Sequence, residues 1–112
     1  MGPEHRLIVY GSLAPGKSNH AQMAGMEGAW ASGVVRGHFR ETGWGSGGRY
    51  PGLTPDPQGP AVSILVFTAV DLPDHWARLD AFEGKAYRRS VVDVEMEGVV
   101  TQASIYAVGP EP

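Results

Sequence analysis

The sequence predicts an α+β fold, a small mixed β-barrel or half-barrel that carries two short helices. Short β-branched runs alternate with glycine- and proline-rich turns, and the 16 glycines and 9 prolines among 112 residues favour strands and loops over a helical bundle. The predicted order of elements is β-α-β-loop-β-α-β-β, and a sheet this short with glycine-rich bends is expected to curl on itself. With 42 % apolar residues the chain can bury one core, so we predict a single domain over residues 1–112.

The first predicted strand covers residues 6–12 and leads into a glycine-rich turn. Its apolar run, Leu7-Ile8-Val9-Tyr10, is followed directly by Gly11-Ser12-Leu13. Glycine allows the backbone to approach a ligand closely, and successive N–H groups in such a turn can point at one anionic or carbonyl oxygen. The turn is therefore a candidate binding loop.

A short helix and a second extended segment are predicted next. Ser18-Asn19 can cap a helix over roughly 19–26, and residues 29–40 contain an extended region broken by glycines. Residues 41–59 form a long loop, and loops of this length in a compact domain are usually functional or mobile.

The second half of the chain predicts a strand, a helix and a hairpin. An apolar run predicts a buried strand over 61–70, and a helix follows over about 73–83. The hairpin consists of strands over 88–96 and 99–108, joined by a turn at Glu97-Gly98.

Glu83 occupies an unusual place for a carboxylate. Trp76, Leu79 and Phe82 mark the apolar stripe of the predicted helix, and helical spacing puts Glu83 on that face just before the glycine stop at Gly84. Loss of water and the negative end of the helix dipole should both raise its pKa, which suits proton transfer near neutral pH. Periodicity alone leaves open the alternative of a solvated terminal glutamate.

Composition and charge exclude several classes of function. The net charge is −3, and the one basic pair is Arg88-Arg89, which argues against a nucleic-acid partner. These two arginines alternate across a strand, so one of them can face a pocket and bind a carboxylate, while solvation of both stays open. The absence of cysteine excludes disulfides, thiol nucleophiles and thiolate metal sites. Without an apolar segment of signal-peptide or membrane-spanning length, we expect a soluble cytoplasmic protein with no membrane partner.

Two sequence signatures together resemble one enzyme family. The first is Tyr10-Gly11-Ser12-Leu13 with Gly16 and Asn19-His20 after it, and the second is Leu79-Asp80-Ala81-Phe82-Glu83-Gly84 followed by Tyr87-Arg88-Arg89. With Tyr50-Pro51-Gly52-Leu53 between them, they resemble the γ-glutamylcyclotransferase-like (AIG2-like) superfamily over nearly the whole chain. The spacing is most similar to that of γ-glutamylamine cyclotransferases.

The resemblance implies a fold, a reaction and a set of site residues. It implies the small mixed barrel of that family and release of 5-oxoproline from a γ-glutamyl small molecule without a cofactor. By position, Glu83 would be the catalytic acid/base, and Tyr10, Gly11, Ser12 and Leu13 would bind the substrate. Ala14-Pro15 replaces the longer polar or basic residues of amine-specific relatives, so the leaving amine is undetermined. Loop 41–59 is the segment we expect to select it, and both a monomer and a homodimer stay open.

Three other interpretations stay under consideration at this stage. Ser12 is a hydroxyl nucleophile in principle, but Gly11-Ser12-Leu13 has no second glycine in the place that a nucleophile elbow requires. Gly11 to Ser18 matches the P-loop pattern formally, although a P-loop fold needs a parallel sheet. A binding module that has lost turnover is the third. No metal is predicted, because the four histidines lack metal-ligand spacing.

Overall fold

Strands and one short helix build the computed structural model, which describes residues 2–11, 13–17, 20–40 and 52–108. The strands within these ranges are β1 (Arg6–Val9), β2 (Gly28–Arg40), β3 (Gly52–Pro55), β4 (Ala61–Ala69), β5 (Arg88–Met96) and β6 (Val99–Ala107). The α-helix, α1, is Trp76–Glu83, and 3₁₀ helices cover Pro3–His5, His20–Met23 and Leu72–His75.

Five of the strands close into a barrel, as the sequence predicts. The order along the sheet is β3-β2-β4-β1-β6-β5, and β2 also pairs with β5 at Val34 and Glu95, which joins the two ends of the run β2-β4-β1-β6-β5. The pairing of β1 with β6 is parallel, whereas every other pairing is antiparallel, so the barrel is mixed. β3 is the extra strand, attached to the edge of β2.

Alternation along the strands divides the apolar side chains between the barrel interior and an outer layer. Ile8 of β1 packs inside the barrel, while its neighbours Leu7 and Val9 face the helical layer, because successive side chains of a strand point to opposite sides. The interior group also contains Val35, Leu53, Ile64, Val66, Val94, Ala103, Ile105 and Ala107. The outer group joins the barrel wall to α1 and the 3₁₀ segments through Leu13, Met23, Phe67, Leu72, Trp76, Leu79 and Tyr106.

The hairpin of β5 and β6 confirms the predicted bounds to within one residue. Its turn at Glu97 and Gly98 has φ values of 54° and 76°, both in the left-handed region that two-residue hairpin turns use. The predicted buried strand over 61–70 is likewise confirmed as β4.

Three predicted elements differ from the observed ones. The helix expected over 19–26 is a 3₁₀ turn over His20–Met23, with residues 18 and 19 outside the described residues. β1 ends at Val9 rather than at residue 12, because the chain turns at Gly11, whose carbonyl accepts the Ala14 N–H. The helix expected over 73–83 begins as a 3₁₀ turn and becomes α-helical only at Trp76.

The predicted loop over 41–59 contains a strand. β3 pairs with Gly37, His38, Phe39 and Arg40 of β2, and its Leu53 is completely buried in the barrel interior. Glycine and proline at its two ends hide this strand from a sequence pattern, yet both are tolerated because β3 is an edge strand. Residues 41–51 lie outside the described residues.

Candidate active site

Helix α1 places Glu83 at its last position, on the side that faces the barrel. Trp76 and Leu79 are buried on this side, and Glu83 is half-buried beside them. Phe82 does not belong to the stripe: it is 38 % exposed, because at about 100° per residue it lies well off the direction shared by the other three. Gly84 then ends the helix with a φ of 77°.

Burial sets the ionisation of Glu83. Loss of contact with water raises the pKa of its carboxyl from an ordinary 4.5 to about 7. The carboxyl also follows the last helical turn, where the backbone dipole disfavours negative charge in the same direction. A carboxyl with this pKa exchanges its proton readily at neutral pH.

Tyr10 and Tyr106 lie within electrostatic reach of Glu83. Burial is the main reason that the pKa of each phenol lies above its ordinary value, and the negative charge of Glu83 raises both further. Tyr87 adds to the effect on Tyr10. Glu83 therefore interacts electrostatically with two phenols, one that follows β1 and one from β6.

The hydroxyl of Tyr10 is fully engaged with the backbone. It donates to the Tyr106 carbonyl at 2.5 Å and accepts the N–H of Leu53 at 3.3 Å. With both roles occupied, this phenol serves as a wall that joins β1, β3 and β6. Its raised pKa keeps it neutral at physiological pH.

The loop after β1 is held by turns and by one histidine. The Gly11 carbonyl accepts the Ala14 N–H at 3.1 Å, and the Leu13 carbonyl accepts the His20 ring N–H at 2.8 Å. The Leu13 side chain is buried in the outer core, so it anchors the loop there. Ser12, the fourth predicted binding residue, lies outside the described residues.

Two clefts open beside these elements. One of about 600 Å³ begins at Tyr10, Gly11 and Ala14 and continues past Lys17 toward the β5–β6 turn. The other, of about 680 Å³, lies on the α1 side and includes residues on both sides of Glu83 in sequence. Its lining residues are Asp80, Ala81, Gly84, Lys85, Tyr87, Arg89 and Tyr106.

The two predicted pieces therefore approach each other in part. Tyr10 and Gly11 share one cleft, and Glu83 interacts electrostatically with Tyr10, whereas Leu13 is drawn into the core.

The sequence predicted one partner of an ion pair beside the site but not the other. Both adjacent arginines are exposed residues, and Arg89 is the one that lines the cleft and holds the carboxylate of Asp80. Strand alternation allowed one arginine to bind a carboxylate, but no sequence signal separated Asp80 from other exposed helix residues.

The surroundings of the loop do not match a P-loop. β1 has antiparallel β4 on one side and parallel β6 on the other, whereas the P-loop architecture requires a parallel sheet. Within the described residues, no three His, Asp or Glu side chains lie together in a way that would hold a metal ion. The same part of the chain contains no helix long and apolar enough to cross a membrane.

Similarity to known proteins extends along nearly the whole chain. A family model described as "Gamma-glutamyl cyclotransferase, AIG2-like" matches residues 7–112. No curated protein sequence matches the chain.

Solved structures of several organisms share the fold. YkqA from Bacillus subtilis is 24 % identical with a TM-score of 0.69, and the match covers 93 % of this chain but 35 % of that one. An AIG2-like protein from Mus musculus is 22 % identical with a TM-score of 0.70, over 96 % of this chain and 79 % of the mouse chain. A protein from Arabidopsis thaliana is 25 % identical with a TM-score of 0.69, over 96 % and 72 % of the two chains.

Proposed function

The chain belongs to the gamma-glutamyl cyclotransferase, AIG2-like family, and from this premise we propose that it releases 5-oxoproline from a γ-glutamyl compound. The observation that supports this reaction best is the half-buried Glu83, whose carboxyl has a pKa of about 7 and interacts electrostatically with Tyr10, just ahead of the loop after β1. A binding site for a glutamyl group alone would have no need of a carboxyl poised for proton transfer.

The proposed reaction is intramolecular. The α-amine nitrogen of the substrate attacks its own γ-carbonyl carbon, a new C–N bond closes the five-membered lactam, and the bond from that carbon to the leaving nitrogen breaks. The α-ammonium loses two protons on becoming the lactam N–H, and the leaving nitrogen gains two protons on departing as an ammonium ion, so protons and charge balance. Effective molarities of well-oriented internal attack reach about 10⁵ M or more, so the fold needs chiefly to hold the glutamyl group bent.

Glu83 would serve both proton steps. As a carboxylate it accepts the proton of the α-ammonium, and as a carboxylic acid it returns a proton to the leaving nitrogen. A pKa of about 7 leaves both forms well populated at neutral pH. Neither step requires a metal or an organic cofactor.

The loop after β1 would bind the charged end of the glutamyl group. Backbone N–H groups of Gly11, Ser12 and Leu13 are candidates to hold either the α-carboxylate or the oxyanion that develops on the γ-carbonyl oxygen. Tyr10 would form the wall of the pocket. The leaving amine would be chosen by the segment 41–59, whose last part, β3, is fixed beside Tyr10 by the bond from the Leu53 N–H.

A substrate panel tests the proposal. Purified protein is incubated with γ-glutamyl dipeptides and γ-glutamyl amines, and 5-oxoproline is measured by chromatography. We expect turnover of at least one class, and replacement Glu83→Gln should lower kcat by about 10²–10⁴-fold. The matched control is Glu27→Gln, since Glu27 is exposed and lies ahead of β2; its activity should equal that of the wild type.

Two further outcomes separate the alternatives. EDTA should leave the rate unchanged, and loss of activity in EDTA would contradict the cofactor-free chemistry. Tight binding of γ-glutamyl ligands by wild type and Glu83→Gln alike, without 5-oxoproline from either, would show a binding module instead of an enzyme.

A further inference from the structure

Asp80 is gripped by two residues from different strands. Arg89 of β5 donates to it through Nε at 2.9 Å and through Nη2 at 3.1 Å, one bond to each carboxylate oxygen. The Tyr106 hydroxyl of β6 adds a third bond, to Oδ1 at 2.6 Å. We call Asp80, Arg89 and Tyr106 the Asp80 clamp. Three donors converging on one carboxylate fix its position far more closely than a single ion pair does.

The clamp also holds the beginning of α1. The Arg89 guanidinium lies over the ring of Trp76, 4.4 Å from its centroid, in a cation–π contact. One arginine therefore touches the first and the fifth residue of an eight-residue helix. A helix this short is not stable alone, so contacts from outside must determine where its last residue, Glu83, lies.

Tyr106 connects the clamp to the wall of the site. Its hydroxyl donates to Asp80, while its backbone carbonyl accepts the Tyr10 hydroxyl at 2.5 Å. The path from the end of β1 to α1 thus passes through one residue of β6. Glu83 follows Asp80 by nearly one helical turn, and its negative charge acts on both tyrosines of this path, Tyr10 and Tyr106.

We propose that Asp80, Arg89 and Tyr106 are positioning residues that hold the Glu83 carboxyl in register with the loop after β1. The proposal rests on the function proposed above. Stability alone does not explain the arrangement, because exposed ion pairs contribute little to folding and the Asp80 side chain is 43 % exposed. Positioning does explain it, since a displacement of about 1 Å in a reacting group can cost roughly 10²-fold in rate.

The Asp80 carboxylate is paired with a positive charge, that of Arg89. Partial burial raises the pKa of Asp80, but the bonds from Arg89 and Tyr106 outweigh this effect and leave that pKa below its ordinary value. Glu83 interacts electrostatically with Tyr10, which follows β1, and with Tyr106 of β6, and Lys85 lines the adjoining cleft. Tyr106→Phe removes a clamp bond without changing any of these charges at neutral pH.

Steady-state kinetics provide the first part of the test. Asp80→Asn, Arg89→Gln and Tyr106→Phe should each lower kcat, by up to about 10²-fold, with much less effect on KM. Combining Asp80→Asn with Arg89→Gln should cost little more than either alone, because the two act as a unit. Asp93→Asn and Arg88→Gln are matched controls at exposed positions of β5 and should leave kcat unchanged.

NMR titration of the Glu83 carboxyl provides the second part and needs no activity. The midpoint should lie near 7 in the wild type and move down toward that of an ordinary glutamate in Asp80→Asn and Tyr106→Phe, since a displaced Glu83 gains water. An unchanged midpoint and kcat in both folded variants would overturn the proposal. A shifted midpoint in a protein without turnover would support the positioning role while refuting the proposed function.

Discussion

Helix α1 holds two carboxyl groups of opposite character within one turn. Asp80 is partly exposed and receives hydrogen bonds from Arg89 and Tyr106, and its pKa lies below the ordinary range. Glu83 loses water on burial, and its pKa rises to about 7. The two carboxyls are close in sequence, so the difference comes from their surroundings. Hydrogen-bond donors keep Asp80 charged, whereas burial leaves Glu83 able to exchange a proton at neutral pH.

The largest effect expected from this contrast concerns stability against pH. The pKa of Glu83 is higher in the folded protein than in the unfolded chain, so the folded state binds more protons between pH 4.5 and about 7 and loses stability as pH rises through that window. Glu83→Gln escapes this loss. Its advantage in unfolding free energy over the wild type should be roughly 3 kcal/mol greater at pH 8 than at pH 4.

Urea denaturation at the two pH values measures this difference. The same pair of measurements on Glu27→Gln should show almost none, because that side chain is exposed. An equal advantage of Glu83→Gln at both pH values would mean that Glu83 is solvated, and the contrast between Glu83 and Asp80 would disappear.

The pH dependence of the reaction rate should show the ionisation of Glu83 as well. If Glu83 accepts the first proton, kcat/KM should fall by about tenfold for each pH unit below 7, since the fraction of carboxylate falls in that proportion. Rates of 5-oxoproline release between pH 5 and pH 9 test this expectation. A flat profile would contradict a general-base role.

Removal of the Tyr10 hydroxyl should have an intermediate effect. Tyr10→Phe leaves the Tyr106 carbonyl and the Leu53 N–H without this partner, and such losses cost about 1–3 kcal/mol. Thermal or urea unfolding measures the change. If Tyr10 forms the pocket wall as proposed and takes no part in proton transfer, the pH dependence of kcat/KM should keep its midpoint; a moved midpoint would assign Tyr10 a part in proton transfer.

The smallest effect should be the stability cost of opening the Asp80 clamp. Arg89→Gln should lower the unfolding free energy by only about 1 kcal/mol, because the ion pair is substantially exposed. The same variant should show a much larger fractional loss in kcat. A large loss of activity with a small loss of stability distinguishes a positioning role from a purely structural one. A large stability loss matched by the activity loss would reduce the clamp to a structural contact.

Sequence patterns predicted the barrel and its hairpin because short stretches of sequence are enough to indicate those elements. The centre of β4 is an apolar run, and Gly98 suits the positive φ of the hairpin turn, although Glu97 also adopts a φ of 54° there. β3 was not predicted because its four residues begin with a glycine, end with a proline and show no alternation, and only the pairing with β2 makes them a strand.

In the candidate site too, some features could be predicted from local sequence patterns and others could not. Helical spacing put Glu83 on the apolar face but left a solvated terminal glutamate open, and its half-buried state agrees with the first alternative. Phe82 was assigned to the same stripe wrongly, since a two-turn helix buries a narrow face. The contact of Asp80 with Tyr106 was not predicted, because Tyr106 lies on β6, 26 residues later in the chain, and no local sequence pattern links residues so far apart.

The parallel pairing of β1 with β6 has a consequence for how the protein matures. Leu7 lies against Ser104, and the Tyr10 hydroxyl meets a carbonyl 96 residues later in the chain. β6 leaves the ribosome after every other strand of the barrel, so the wall of the site can form only when nearly all of the barrel has been synthesised. Contacts so distant in sequence also slow folding. A nascent chain should therefore expose the open flank of β1 until β6 arrives, and chaperone binding to that flank is expected during this interval.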